Sequence, residues 1–183
     1  MSSPHLLHQR VDLIPVLDDA HISTGSSHLR VNVFLDRLRE TQRNPAVAIV
    51  RILLGVLFLM TGIMKLFVPE LRAAFSGQLT AAAIPAHSLN MWFVPLAETG
   101  MGLALIAGFL SRVFSVAAMG TMVVATYVHL VVHDPALFPL QPEAPIIPLI
   151  ALALCAWVLW AGGGSWSADL QFRSRSGRLR PDR

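Results

Sequence analysis

Five side chains that carry charge or can bind a proton fall inside long apolar stretches of this sequence: Arg51, Lys65, Glu98, His129 and His133. A polar group surrounded by hydrocarbon needs a partner or a purpose, because nothing there replaces water. Glu98 is the most demanding of the five, since a short carboxylate cannot reach an aqueous surface along an apolar stem as Lys or Arg can. A cation on another helix would hold it ionised. Lys65 is the favoured partner and Arg51 the alternative, both lying within a long side chain's reach of its level. The competing structural account has Arg51 and Lys65 extending to opposite interfaces, or a buried pair that only fixes helix register.

His129 and His133 are spaced i and i+4, so on one helix they share a face. That spacing suits a metal, with His87 as a third ligand. No Cys or carboxylate motif accompanies them, however, and no Glu separates them as on a metalloprotease helix, so no metal is assigned. A bis-histidine haem would need histidines at matching depth on two helices, and one helix alone offers them. An apolar slot beside one or two polar groups suits a quinone better, with Glu98 and His129 at its head. The candidate polar site is therefore Glu98, Lys65, His129 and Arg51, with His133 and His87 as weaker members and no single catalytic residue assigned.

These residues must be positioned by membrane-spanning helices. Apolar segments at residues 46–67, 89–110, 113–133 and 145–161 predict four spans. The first three are long enough for a hydrocarbon core of roughly 30 Å at about 1.5 Å per residue, while the fourth is the shortest and draws on its flanks. Backbone groups in lipid are satisfied within the segment, so each span is a helix. The expected fold is all-α, a transmembrane four-helix bundle with an amphipathic outer-surface helix between spans one and two. That helix starts at Pro69, repeats Leu71, Phe75, Leu79 and Ala82 at helical spacing, and ends before Pro85. Pro135, Pro139 and Pro142 around Leu137-Phe138 predict a rigid cap in the other outer loop. Gly100, Ala104 and Gly108 form a small-residue stripe for close helix approach, and Gly55 and Gly62 are expected to do the same on the first span. Ser115, Ala118, Met122, Ala125 and His129 follow a bundle seam that turns His129 inward. Pro95 would loosen the backbone near Glu98.

Composition agrees with a lipid environment. Hydrophobic residues make up 54% of the chain and charged residues only 14%, too few to cover the surface of a soluble domain. The 183 residues allow one domain. The net charge is +3, and the arginines cluster at the two ends without interleaved aromatics, which argues against nucleic-acid binding. A single cysteine, Cys155, rules out an internal disulfide or Cys-x-x-Cys pair, so dithiol chemistry would come from a partner. Basic residues lie mainly in the tails at 1–45 and 171–183 and at Arg112, so both termini are expected in the cytoplasm of a multi-pass plasma-membrane protein. The polar N-terminal tail includes a stretch at 29–39 that could form a surface helix, and the membrane domain spans 46–170. The first apolar run lacks a small-residue cleavage site and should remain as an anchor.

Several pieces of this sequence resemble the DoxX family of small four-span membrane proteins. They are Arg51 to Gly55 (RILLG), Phe58 to Lys65 (FLMTGIMK), Ala83-Ile84-Pro85, Glu98 to Gly102 (ETGMG), and Gly108 to Arg112 (GFLSR). Gly162 to Leu170 (GGGSWSADL) is similar to the glycine-rich end of that family, with Ser167-Ala168-Asp169 standing in place of Ser-Leu-Asp. The resemblance covers residues 51–170 and implies a four-helix membrane bundle in a redox setting, because the family takes its name from a subunit linked to thiosulfate:quinone oxidoreductase. Three functions are then open. The first is a membrane subunit of a quinone-linked redox complex, and the second a non-catalytic anchor or assembly partner for other proteins. The third is a small-solute or proton pathway, for which a bundle this small would have to form a homo-oligomer.

Overall fold

The computed structural model describes residues 43–140, 142 and 144–171. The expected surface helix at 29–39 and nearly all of the tail at 171–183 lie outside them. The described residues form α1 (Pro45–Phe67), α2 (Pro69–Ala81), α3 (His87–Ala107), α4 (Ser111–Val131), a 3-10 turn (Pro135–Leu137) and α5 (Ile146–Ala161), without a strand. Helices α1, α3 and α4 are long and apolar enough to cross a membrane, and α5 is a shorter apolar helix of 16 residues. At about 1.5 Å per residue, α5 measures about 24 Å, short of a hydrocarbon core of roughly 30 Å.

Local chemistry sets the helix ends. The Asn44 side chain accepts from the Ala46 amide at 2.9 Å, and Pro45 occupies the first turn of α1, where a missing N–H costs nothing. Pro69 plays the same part in α2, which buries Phe75 and Leu79 as the amphipathic spacing requires. Helix α3 ends at Gly108 with φ 69°, a left-handed cap that favours glycine. Helix α4 stops at Val131, because Val132 is extended, so His133 lies beyond the helix and no longer shares a face with His129. The expected span at 113–133 is thus two residues too long at that end.

The chain runs up and down four times. Helix α1 packs chiefly on α3, and α4 on α5; lesser contacts between α1 and α5 and between α3 and α4 close the ring. Leu54, Phe58, Met101, Leu105, Ala118 and Cys155 are among the residues that fill its centre. Leu53, Met60, Leu96, Leu103, Val123 and Leu130 point outward and are exposed, a surface that lipid covers and water would not. The α1–α3 contact is close because glycines face it. A Cβ at Gly62 would stand 2.5 Å from Thr99 Oγ1, and one at Gly102 would stand 2.5 Å from the Leu59 amide nitrogen. Gly55 is equally confined, as its spacing from Gly62 suggests. Gly100 is different: it is exposed, and a Cβ there would meet nothing within 4 Å. The stripe expected from Gly100 and Ala104 is therefore not the helix contact, which runs through Gly102.

One end of the bundle is tied by a buried polar knot. Arg51 is fully buried, and its Nε donates to the Gly163 carbonyl at 2.7 Å. Its Nη1 donates to the carbonyls of Leu105 and of Ile106, the latter at 2.9 Å, and its Nη2 to that of Trp166 at 3.3 Å. The guanidinium thus adds donors to carbonyls at the end of α3, where the helical hydrogen bonds run out. The Asp169 carboxylate works on the next turn. It accepts from the Leu110 amide at 2.8 Å and from the Ser111 amide and hydroxyl at 3.0 Å each, capping α4 from outside the helix. Leu110, with φ 44°, is held in a strained left-handed conformation by that contact. The glycine-rich segment 162–164 lets the chain fold back so that these bonds form.

Candidate functional site

At the opposite end, Lys65 is in the last turn of α1 and Glu98 faces it from α3. Lys65 Nζ donates to both carboxylate oxygens, at 2.6 and 2.8 Å. The Glu98 side chain is 4% exposed and that of Lys65 23%. Pro95, one turn before Glu98 on α3, removes a backbone donor, and Thr99 donates its hydroxyl to the Pro95 carbonyl at 2.8 Å. From above, the Phe75 ring of α2 lies 5.0 Å from Nζ. Two elements of the bundle and the surface helix together bury the carboxylate and leave the ammonium partly exposed.

His129 faces the same interior from α4. Its Nδ1–H donates to the Ala125 carbonyl at 2.9 Å, and its ring lies against Phe138, centroids 4.4 Å apart. A neutral imidazole bonded in this way presents Nε2 as an acceptor. That atom is buried and has no partner among the described residues. Buried polar atoms are nearly always paired, so an orphan of this kind marks a place where something else binds.

Lys65, Glu98 and His129 line one cavity of about 620 Å³, bounded otherwise mainly by apolar residues such as Phe58, Phe75, Leu79, Phe93, Val128 and Leu137. The volume is within the roughly 300–1,000 Å³ typical of small-molecule sites. Its roof is α2 together with the 3-10 turn. Gln78 donates to the Leu137 carbonyl at 2.6 Å, and Gly77 approaches the Leu137 side chain so closely that a Cβ would stand 2.5 Å from it. Ala82, Val128, Val132 and Phe138 fill the space beneath the loop. Both loops that cover the spans thus build a single lid.

The remaining site candidates lie elsewhere. Arg51 belongs to the knot at the far end and does not approach Glu98, to which it was the alternative partner. The His87 ring pins α3 to α2 through Ser76, with Nε2 3.1 Å from the hydroxyl oxygen and 3.3 Å from the carbonyl oxygen. His133 is exposed and apart from the cavity. Among the described residues, no group of three or more His, Cys, Asp or Glu side chains could hold a metal ion. Sequence reasoning gave Asp169 no role of its own. The signal was present, as a buried acid two residues after Ser167 and following the Gly162-Gly163-Gly164 run.

Comparison with known proteins finds a family model that matches part of this chain. The DoxX family model matches residues 46–134, a stretch that contains Arg51, Lys65, Glu98 and His129. An uncharacterized membrane protein of Mycobacterium tuberculosis is 28% identical over 153 residues, covering 76% of this chain and 89% of that protein. No solved structure shows a significant match.

Proposed function

Residues 46–134 carry the DoxX domain of an integral membrane protein, and from that premise we propose that the chain is a membrane subunit of a quinone-linked redox complex. The cavity of about 620 Å³ shared by the Lys65–Glu98 pair and the orphaned His129 Nε2 carries this reading. An apolar volume with a few convergent polar groups suits a lipophilic ring bearing an oxygen at each end. Lys65 Nζ, with two of its protons on Glu98, has a third for a ring oxygen, and His129 Nε2 can accept from the other oxygen when the ring is in its hydroxyl-bearing, reduced form. In this reading the arginine distribution sets both tails in the cytoplasm, the Arg51 knot at the cytoplasmic end of the bundle in a plasma membrane, and the cavity in the outer half of the bilayer. In this arrangement residues 1–45 and 171–183 are cytoplasmic tails, and 46–170 is the membrane domain.

Quinone reduction in membranes containing the wild-type chain should exceed that in membranes lacking it. Glu98→Gln should lower this increment about tenfold or more, the worth of one lost charge-assisted bond in a dry site. Unchanged turnover would contradict the proposal. One observation favours a second reading, a non-catalytic anchor for a partner protein: Gly100 offers a small, open face on α3 that no helix among the described residues fills.

A further inference from the structure

The polar groups around the cavity differ in what they leave available to a ligand. The Thr61 hydroxyl donates to the Phe58 carbonyl at 3.1 Å, and the Thr121 hydroxyl to that of Ala117 at 3.2 Å. Gln78 and Asn90 each commit an amide N–H to a backbone carbonyl, at 2.6 and 2.8 Å. The two acceptors are less committed. His129 Nε2 has no partner, and each Glu98 oxygen receives one bond, from Lys65, with a lone pair to spare. The best-buried groups of the site therefore ask for a ligand that donates.

The cavity also has a side door. Phe93 on α3 and Val124 on α4 both line it, yet are 61% and 49% exposed. They lie almost equally far from the 108–110 turn that joins their helices, and so at a similar level of two helices in contact, where a slot between them would open. Gly120, one turn further into α4, lines the same cavity and is itself exposed, and a Cβ added there would meet nothing within 4 Å. The slot sits in the band of apolar residues that lipid covers.

We infer that the cavity is entered from the bilayer between α3 and α4, past Gly120, and binds the reduced, hydroxyl-bearing form of its ring ligand in preference to the oxidised form. This inference rests on the quinone-site reading above. A hydroquinone donates one O–H to His129 Nε2 and the other to Glu98, and its oxygens still accept from Lys65. The oxidised quinone carries only acceptors, so it leaves the imidazole lone pair unpaired in a low-dielectric site. Such an unmet group weakens binding about tenfold or more. Lys65 donates to either form and does not discriminate.

The test uses the purified full-length protein in phosphatidylcholine nanodiscs under anaerobic conditions. Binding of 2-decyl-1,4-hydroquinone and of its oxidised quinone is measured by titration calorimetry, against empty nanodiscs. Wild-type protein should bind the hydroquinone about tenfold tighter or more. His129→Phe should reduce this preference about tenfold, leaving only the share that Glu98 contributes, while keeping the affinity for the oxidised form. Gly120→Leu should weaken both forms and Gly120→Ala neither; if Gly120→Leu does not fold, as judged by thermal unfolding, Val124→Trp at the same rim replaces it. Equal affinity for the two forms, or a preference undiminished in His129→Phe, overturns the inference and leaves the quinone site standing. Wild-type affinity in the rim variants overturns the entry route. Failure of folded wild-type protein to bind either form removes the quinone site as well.

Discussion

Glu98 is nearly sealed off from solvent, and its only cation among the described residues is Lys65. Removing one member of such a pair leaves the other uncompensated. Lys65→Met or Glu98→Leu alone should lower stability in detergent toward the lower end of the roughly 3–5 kcal/mol typical of broken buried pairs, because Lys65 keeps some access to water. The double variant should melt above either single one, and a double variant less stable than both would show that the pair does more than balance charge. At the other end, Arg51→Lys keeps the charge but not the planar fork that serves four carbonyls. It should lower the melting temperature by several degrees; an unchanged value would mean that the knot is dispensable. Depth in the sequence favoured Lys65 as the partner of Glu98, since both residues fall near the same end of antiparallel spans, but left Arg51 as the alternative until the fold separated them. Arg51 could not be placed that way, because its partners come from residues 105–106 and 163–166, brought together only when the chain folds back after α5.

Helix packing gives a sharper test, since four glycines have opposite surroundings. Gly62→Ala and Gly102→Ala push a methyl into backbone or side chain, at 2.5 Å in each case, and should cost about 1–3 kcal/mol. Gly100→Ala and Gly120→Ala meet nothing, and should raise stability by about 0.5–1 kcal/mol through helix propensity. Thermal unfolding of the four variants checks the signs, and a reversed order would contradict the α1–α3 interface. The spans themselves were legible because hydropathy and capping residues coincide, and α2 was legible from its i, i+4 apolar spacing. The interface of α3 was harder to read. Gly100, Ala104 and Gly108 make a regular stripe, but the buried face follows Glu98, Met101, Gly102 and Leu105, and only the burial of Glu98 points to it. The seam on α4 was readable, with Ser115, Ala118 and His129 all buried. The pairing of His129 with His133 was not, because extended backbone at Val132 ends the helix first.

At the scale of the whole molecule, the two ends of the bundle have different tasks. One is locked by Arg51 and Asp169, and the other holds a lidded cavity between helix pairs. The proposed topology sets the locked end toward the cytoplasm. Cys155 is the sole native cysteine and is buried, so introduced cysteines report without interference. A membrane-impermeant maleimide should label Ser88→Cys on intact cells, and Ser174→Cys only after lysis; the opposite pattern would invert the molecule. The central claim, that this cavity holds a lipophilic quinone, is most directly tested by mass spectrometry of lipids retained by the purified protein. Quinone should be enriched over the surrounding membrane in the wild type and fall to the membrane level in Gly120→Leu. Quinone no higher than the membrane level in the wild type would contradict it, whereas equal content in the two proteins would overturn the entry route alone.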